Sequence, residues 1–423
     1  MQDYILRGRL LREQGRYPDA EAYFRQAIGA SPDQVEAYIE LALCLLPQEG
    51  RRREALEIID RCIQLEPDHA FNHALRSLIL SRLARGRDAS AAADQAIGLD
   101  PDGSFNHTVK AEAMLVQEKW KDAEMAARKA LALDSDNTSA RNLLALALQY
   151  QGRNVEASVA VETLLADAPD SPFAHLNAGW ACLRSNDHQQ AEVHFRESLR
   201  LDASLDAARE GLIESFKARS WLYRLYLRYH FFMQRIQSGP RWALIIGLIL
   251  AVNLGSKVLQ TIHPLASTVL ITAYLIFVLW VWLASGIGHF LILLDPSARL
   301  ALKPKERAEG IAVGGGLLAG IACITLGILW DSPAFWLLGA GLGCGAMPAS
   351  LYFTNESSNG RWIFGLFLAF LYGGGLILAV TAWISGAKVL TGRSETFITM
   401  ALIGTMLCTW IGNIPTLRQE KPR

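Results

Sequence analysis

The chain reads as all-α, in two parts: a helical-hairpin solenoid, then a polytopic transmembrane helix bundle of about six spans. Two observations predict this. Ala20, Ala55, Ala89, Ala123, Ala157 and Ala191 recur at steps of 35 and then 34 residues. Self-similarity at that period marks stacked helical hairpins, which bury a continuous core only by stacking. The ladder stops before residue 216, and from residue 241 onward the chain holds apolar segments long enough to cross a bilayer.

Other positions keep the beat. Four residues after each alanine stand Phe24, Ile59, Ala93, Ala127, Val161 and Phe195; seven after it stand Ala27, Cys62, Ala96, Ala130, Leu164 and Ser198. Small residues let antiparallel helices approach, and Leu41, Ala42, Leu45 and Leu144, Ala145, Leu148 mark one helical face. Pro32, Pro67, Pro101 and Pro169 end one helix before the next begins. Asp33, Asp68, Asp102 and Asp170 follow them, where carboxylates favour a helix N-terminus. The fourth and sixth units have Ser135 and Ala203 at the proline position. The single 35-residue step reflects an extra residue in the turn around Leu46–Arg53.

This pattern resembles the tetratricopeptide repeat (TPR) family. The first unit carries it best, with Tyr4, Gly8, Gly15, Tyr17, Ala20, Phe24, Ala27 and Pro32. Six units cover residues 1–205, and residues 206–216 read as a seventh first helix without a partner, capping the open end. The resemblance implies that the first helix of each unit lines a concave groove for a protein or peptide. Carried over unit by unit, that groove holds Phe71, Leu75, Phe105, Val109, Asn142, Phe173, Asn177, Trp180 and Arg184. Phe71–Asn72–His73, Phe105–Asn106–His107 and Phe173–Ala174–His175 recur in register. A row of aromatics with few charges suits an extended or helical apolar segment. The cationic clamp that some family members use for a C-terminal carboxylate is not evident.

Charge is unevenly spread. Residues 1–215 carry 24 basic against 34 acidic residues, residues 216–240 five basic and no acidic, and residues 241–423 12 basic and 7 acidic. An acidic solenoid argues against nucleic acid as partner. The six cysteines fit buried small positions, with no Cys-x-x-Cys pair, so neither disulfides nor a metal cluster is indicated. The chain opens directly into the first repeat, so no signal peptide is expected.

The apolar half reads as spans at about 242–259, 265–290, 309–330, 333–353, 361–385 and 396–414. Tryptophans fall near span ends, as interfacial anchors do. Loop charge sets the orientation. The collar at 216–241, the loop at 295–308, Arg361 and the tail with Arg418, Lys421 and Arg423 carry about 14 basic residues; the opposite side has Lys257, Lys388 and Arg393. The solenoid and the C-terminus are therefore expected in the cytoplasm, on a bacterial inner membrane. Gly316/Gly320, Gly339/Gly343 and Gly341/Gly345 have the spacing that permits close helix crossing. A substrate pathway through the glycine triplets would call for buried ionisable groups, and only His289 and Lys257 are candidates, both near span ends.

The segment at 206–240 combines the capping helix with a basic aromatic helix. Lys217, Arg224, Arg228 and Arg235 share one helical face there, with Trp221, Leu225 and Phe232 adjoining. Together with Trp242 these suit a helix lying among anionic headgroups. A serine-protease reading of Ser285 fails for want of a base on a later span. His69 and His73 have chelating spacing, but His73, His107 and His175 occupy equivalent repeat positions, which favours packing. No cofactor is expected. The function expected is a membrane-anchored adaptor binding protein or peptide partners on the cytoplasmic face, over 1–205, 206–240 and 241–423 as domains. The alternative is a transporter or channel with a regulatory repeat domain.

Overall fold

The computed structural model describes residues 2–48, 50–387, 389, 392–412, 414 and 417, and among them every regular element is a helix. Lys388, Arg418, Lys421 and Arg423 lie outside the described residues. The chain forms two compact units, Met1–Ala208 with Phe231–Arg241, and Arg209–His230 with Trp242–Arg423.

The first unit is six hairpins. They pair α1 (Gln2–Glu13) with α2 (Tyr17–Ala30), α3 (Val35–Leu45) with α4 (Arg52–Leu65), and α5 (Ala70–Arg82) with α6 (Gly86–Leu99). Then come α7 (Ser104–Val116) with α8 (Trp120–Leu133), α9 (Thr138–Tyr150) with α10 (Asn154–Asp167), and α11 (Pro172–Arg184) with α12 (His188–Leu201). Every residue of the alanine ladder is buried, as are the positions four and seven further on. The ladder is thus the inward stripe of the second helices, and it builds core rather than a binding face. Gly8 and Gly179 explain one motif position. A Cβ there would lie 2.5 Å from the Phe24 ring and 2.6 Å from the Phe195 ring, so each glycine makes the seat for the aromatic of the following helix.

Two devices repeat beyond the apolar pattern. At the junctions, Nε2 of His73, His107 and His175 stands 2.7, 2.9 and 3.0 Å from the carbonyl oxygens of Pro67, Pro101 and Pro169, and Tyr38 Oη donates to Pro32 O at 2.9 Å. The repeated histidines therefore tie the junction to the next helix. Helices α3, α5 and α7 begin after Gln34, His69 and Gly103, so Asp33, Asp68 and Asp102 sit in the turns rather than in first helical turns. Inside each hairpin the turn needs a residue with positive φ: Gly15, Gly50, Ala84, Glu118, Gly152 and Asn186. Only half are glycine, so the recurrence escapes a reading of residue types.

The second unit holds most of α13 (Asp206–Lys217), of α14 (Trp221–Arg235) and of α15 (Ser238–Ile262), then α16 (Pro264–Leu293), α17 (Pro304–Gly310), a π-helical turn at Ile311–Gly315, α18 (Gly316–Trp330), α19 (Pro333–Thr354), α20 (Ser358–Ile384) and α21 (Gly392–Ile411). Six stretches are long and apolar enough to cross a membrane: Pro240–Ile262, Pro264–Leu293, Pro304–Trp330, Pro333–Thr354, Ser358–Ile384 and Gly392–Ile411. They overlap the six predicted segments; the first four are equal or longer in the structure, while the fifth and sixth start three and four residues earlier and end at Ile384 and Ile411, before the predicted 385 and 414. α19 is the buried centre, whereas the apolar window of α15 has no buried residue. A Cβ on Gly320 would lie 3.0 Å from Gly343 N, and one on Gly341 2.6 Å from Leu371 O. The glycines therefore let α18, α19 and α20 meet backbone to backbone. The triplet Gly373–Gly375 lies inside an unbroken α20.

α13 has a partner after all. Ile213 and Phe216 pack with Ile292, Ala298 and Leu302. Arg209 pairs with Glu306 at 3.3 Å, and Arg219 pairs with Asp295.

Candidate functional site

The first helices carry the predicted groove residues, and the structure separates them by exposure. Phe71 and Phe105 stack at 5.5 Å between ring centroids, and both keep open surface. Phe173 is the most open, at 54%. Trp180 meets Phe195 edge-on at 5.5 Å and is half-buried. Leu75 and Val109 are instead core residues, packed with Ile79 and with Ala93 and Ala96. A step of four residues overshoots a full helical turn by about 40°, which carries them from the open face into the wedge between hairpins. Asn177 is buried and donates to Asn142 Oδ1, joining the fifth repeat to the sixth.

Arg184 is committed to its own chain. Its guanidinium lies 5.2 Å from the centre of the Tyr150 ring and 4.9 Å from that of Phe231, and Nη1 donates to Gln149 Oε1 at 2.8 Å. Burial pushes this guanidinium below its usual range, opposed by Tyr150. Phe231 opens a stretch that returns along the hairpin turns of the later repeats. Arg235 lies against Gly152, and Arg241 Nη2 reaches Glu118 at 3.5 Å. Residues 231–241 thus pack on the solenoid's own turns.

A cleft of about 590 Å³ opens among α1, α3 and the start of α5, lined by Arg9, Asp33, Glu36, Ile39, Glu40, Leu43, Glu66, His69 and Phe71. Arg9 bridges Glu36 and Glu40, each at 2.6 Å. Sequence reasoning placed the groove from the third repeat onward. It missed this end because the first two units lack the Phe-x-His signature.

Of the collar residues, Trp221, Arg228, Arg235 and Trp242 are exposed and Arg224 is half-buried. Trp221, Leu225, Arg228 and Phe232 make one outward face of α14, while Tyr223, Leu227 and Phe231 point inward. Lys217 does not belong to the basic face. The turn at 218–220 ends α13 before α14 starts, so the expected continuous spacing is broken. Lys217 is 3% exposed, its Nζ 2.9 Å from Glu214 Oε1, 3.4 Å from Ser285 Oγ and 5.5 Å from the centre of the Tyr223 ring. Tyr223 Oη donates to Glu214 Oε2 at 2.8 Å. Burial raises the Glu214 carboxyl, but Lys217 and Tyr223 outweigh it and hold the group below the usual carboxylate range.

A second polar group lies deeper in the bundle. His289 Nδ1 is 3.0 Å from Glu309 Oε2, and Ser350 Oγ donates to Glu309 Oε1 at 3.1 Å. All three are buried. The expectation that span interiors hold only His289 and Lys257 is corrected by Glu309. It sits at the first residue of the predicted third span, but the helix starts five residues earlier and carries it inside.

Burial pushes the thiols of Cys44 and Cys182 up to about 11 and that of Cys62 up to about 12, with nearby Glu21 adding to the effect at Cys44. His69 lies edge-on to Phe71, while His73 is held at Pro67. Among the described residues no three His, Cys, Asp or Glu side chains gather as for a metal ion.

Helical hairpins with this motif define an interaction scaffold. The Tetratricopeptide repeat family profile matches residues 5–70 and 142–206, so the chain carries a tetratricopeptide repeat segment. Solved structures are similar to part of the chain. A tetratricopeptide repeat protein from Parabacteroides merdae is 14% identical, covering 49% of this chain and 81% of its own, with a TM-score of 0.45. A thermophilic TPR protein in Thermus thermophilus is 24% identical over 43% of this chain and 98% of its own, with a TM-score of 0.41. PilW, described as a type IV pilus biogenesis factor, is 16% identical over 50% of this chain and 97% of its own, with a TM-score of 0.41. No curated protein matches the chain.

Proposed function

We propose that the chain is a membrane-anchored adaptor whose repeats hold a protein or peptide segment on the cytoplasmic side. The observation that carries this reading is the division of labour within the repeats. The ladder positions go to the core, while Phe71 and Phe173 on the first helices are exposed and Phe105, stacked on Phe71, is half-buried. Aromatic anchors of this kind dominate binding energy when a partner covers them. The apolar window of α15 has no buried residue, which suits lipid contact. Exposed Trp221, Leu225 and Phe232 beside Arg228 suit anionic headgroups. The basic loop at 295–308 favours a cytoplasmic solenoid.

The test uses the full chain in native membranes. A photo-crosslinking residue replacing Phe173 is expected to capture a protein partner. Phe71→Ala with Phe105→Ala is expected to weaken that capture at least tenfold, the effect of about 1.4 kcal/mol. Unchanged capture sinks the groove reading.

A second reading, a transporter or channel, draws on the buried His289–Glu309 pair, since intramembrane ionisable groups often mark ion paths. It requires flux through the chain reconstituted in liposomes. Its absence under every ion gradient tried leaves the adaptor reading alone.

A further inference from the structure

We propose that the cleft among α1, α3 and the start of α5 selects a basic segment of the partner. An arginine or lysine of that segment sits beside Asp33 and Glu66, with an apolar neighbour on Ile39, Leu43 and Phe71. The proposal rests on the reading of the repeats as a peptide site and adds the charge of the peptide to it.

Four carboxylates line the cleft, those of Asp33, Glu36, Glu40 and Glu66, against one permanent cation, Arg9. Arg9 is already engaged: its Nη2 donates to Glu36 Oε1 and its Nε to Glu40 Oε1, each at 2.6 Å. Arg12, which does not line the cleft, brings its Nε to 3.3 Å from Glu40 Oε2. Two guanidinium groups thus offset Glu36 and Glu40, and the other two of the four carboxylates are left over. Asp33 and Glu66 are both exposed, and among the described residues neither carboxylate has an ion-pair or hydrogen-bond partner. A concave, partly apolar wall with surplus charge of one sign focuses its field on what enters.

Hydrogen-bonding capacity points the same way. Glu40 is 6% exposed, and its Oε2 is held away from water without a hydrogen bond, because Arg12 is near but not aligned to donate. Gln34 Oε1, in the same lining, also lacks a donor. The wall therefore has acceptors to spare, while its one cationic donor group is occupied. Arginine brings five N–H donors and lysine three, and neither brings an acceptor. A carboxylate ligand would instead face four like charges and would have to displace a glutamate from Arg9.

The apolar part sets what stands next to the cation. Ile39 and Leu43 lie one turn apart on α3, both partly buried. Phe71 is exposed and stacks on Phe105 at 5.5 Å, so the cleft leads into the aromatic row of the later repeats. A cation beside such a ring gains from the ring's negative face. Arginine is favoured over lysine, since a planar guanidinium can stack on a ring while its fork reaches a carboxylate. The cleft's volume of about 590 Å³ is within the usual range for a binding pocket, roughly 300–1,000 Å³.

The test pans a random peptide library displayed on phage against the full chain in non-ionic detergent micelles, after depletion on empty micelles. Enriched peptides are expected to carry arginine or lysine next to an apolar residue. The tightest is synthesised with a fluorescent label, and its affinity is read by anisotropy. Asp33→Asn with Glu66→Gln removes the two unpaired charges at side chains that make no bond within the chain. It is expected to weaken binding about fivefold, and to flatten the salt dependence seen between about 0.05 M and about 0.5 M. Asp122→Asn with Glu162→Gln removes two exposed charges from α8 and α10 and is expected to change neither. Enriched peptides without basic residues overturn the proposal, as does an Asp33→Asn, Glu66→Gln variant that binds like the wild type or loses no more than the α8 and α10 control. If Phe71→Ala still weakens binding in that case, the reading of the repeats as a peptide site stands without the charge selection. Enrichment of no peptide overturns both.

Discussion

The repeats and the bundle both bring helices close, but with different residues. In the repeats the contact residue is alanine, and the ladder buries methyl groups against neighbouring side chains. In the bundle it is glycine, and at Gly320 and Gly341 the neighbour is backbone. The placement of charge differs as well. Arg51 holds Glu21 at 2.9 Å on the hairpin surface, and Arg153 holds Glu124 at 2.7 Å at the equivalent place three repeats later. In the bundle the contact between His289 and Glu309 is inside. Water drives apolar burial in the repeats and lets charges pair at the rim. A bilayer supplies no such drive, so backbone approach and buried polar contacts hold the helices instead.

That contrast can be broken in several places. The largest effect is expected for Phe195→Ala, which empties the seat at Gly179 and should cost the first unit about 3–5 kcal/mol; chemical denaturation measures it. Gly341→Val should cost the bundle on the order of 3 kcal/mol or more, because its Cβ meets the Leu371 carbonyl oxygen. Monodisperse, folded protein at wild-type yield would show that the bundle does not rely on backbone contact.

A smaller effect is tied to pH. The hydrogen bond from Arg51, opposed by partial burial and aided by Arg25, holds the Glu21 carboxyl below its usual range. A carboxyl lowered in the folded state stabilises above its unfolded value, about 4.3, and loses that contribution as pH falls further. Glu21→Gln should therefore remove roughly 1 kcal/mol at neutral pH and less in acid, seen by denaturant titration at both. The smallest change is a gain. Ala84 sits at φ 57°, and Ala84→Gly should raise stability by about 1 kcal/mol.

The repeats were largely legible because their code is local. The junction prolines, ladder alanines and aromatic seats stand at fixed offsets, and periodicity adds across six copies. The span positions were legible for a similar reason, since length and apolarity decide them. The site was legible only in part. Phe71 and Phe173 are exposed and Phe105 is half-buried against Ala74, Ala93, Ala96 and Val109, whereas Leu75, Val109 and Asn177 turn inward, and Arg184 is occupied by Phe231 from a segment 47 positions on. No pattern on a single helix distinguishes those outcomes.

Period and composition alone therefore settle that this is a repeat array followed by six apolar helices. They also identify which residues recur. Tertiary structure decides which recurring residues remain open, that Lys217 leaves the basic face for a buried ion pair, and that His289 meets Glu309. Local patterns follow from the geometry of one helix, which the sequence spells out directly. The pairing of buried charges depends on which segments, far apart in the chain, end up sharing a low-dielectric interior, and that is known only once the helices have packed.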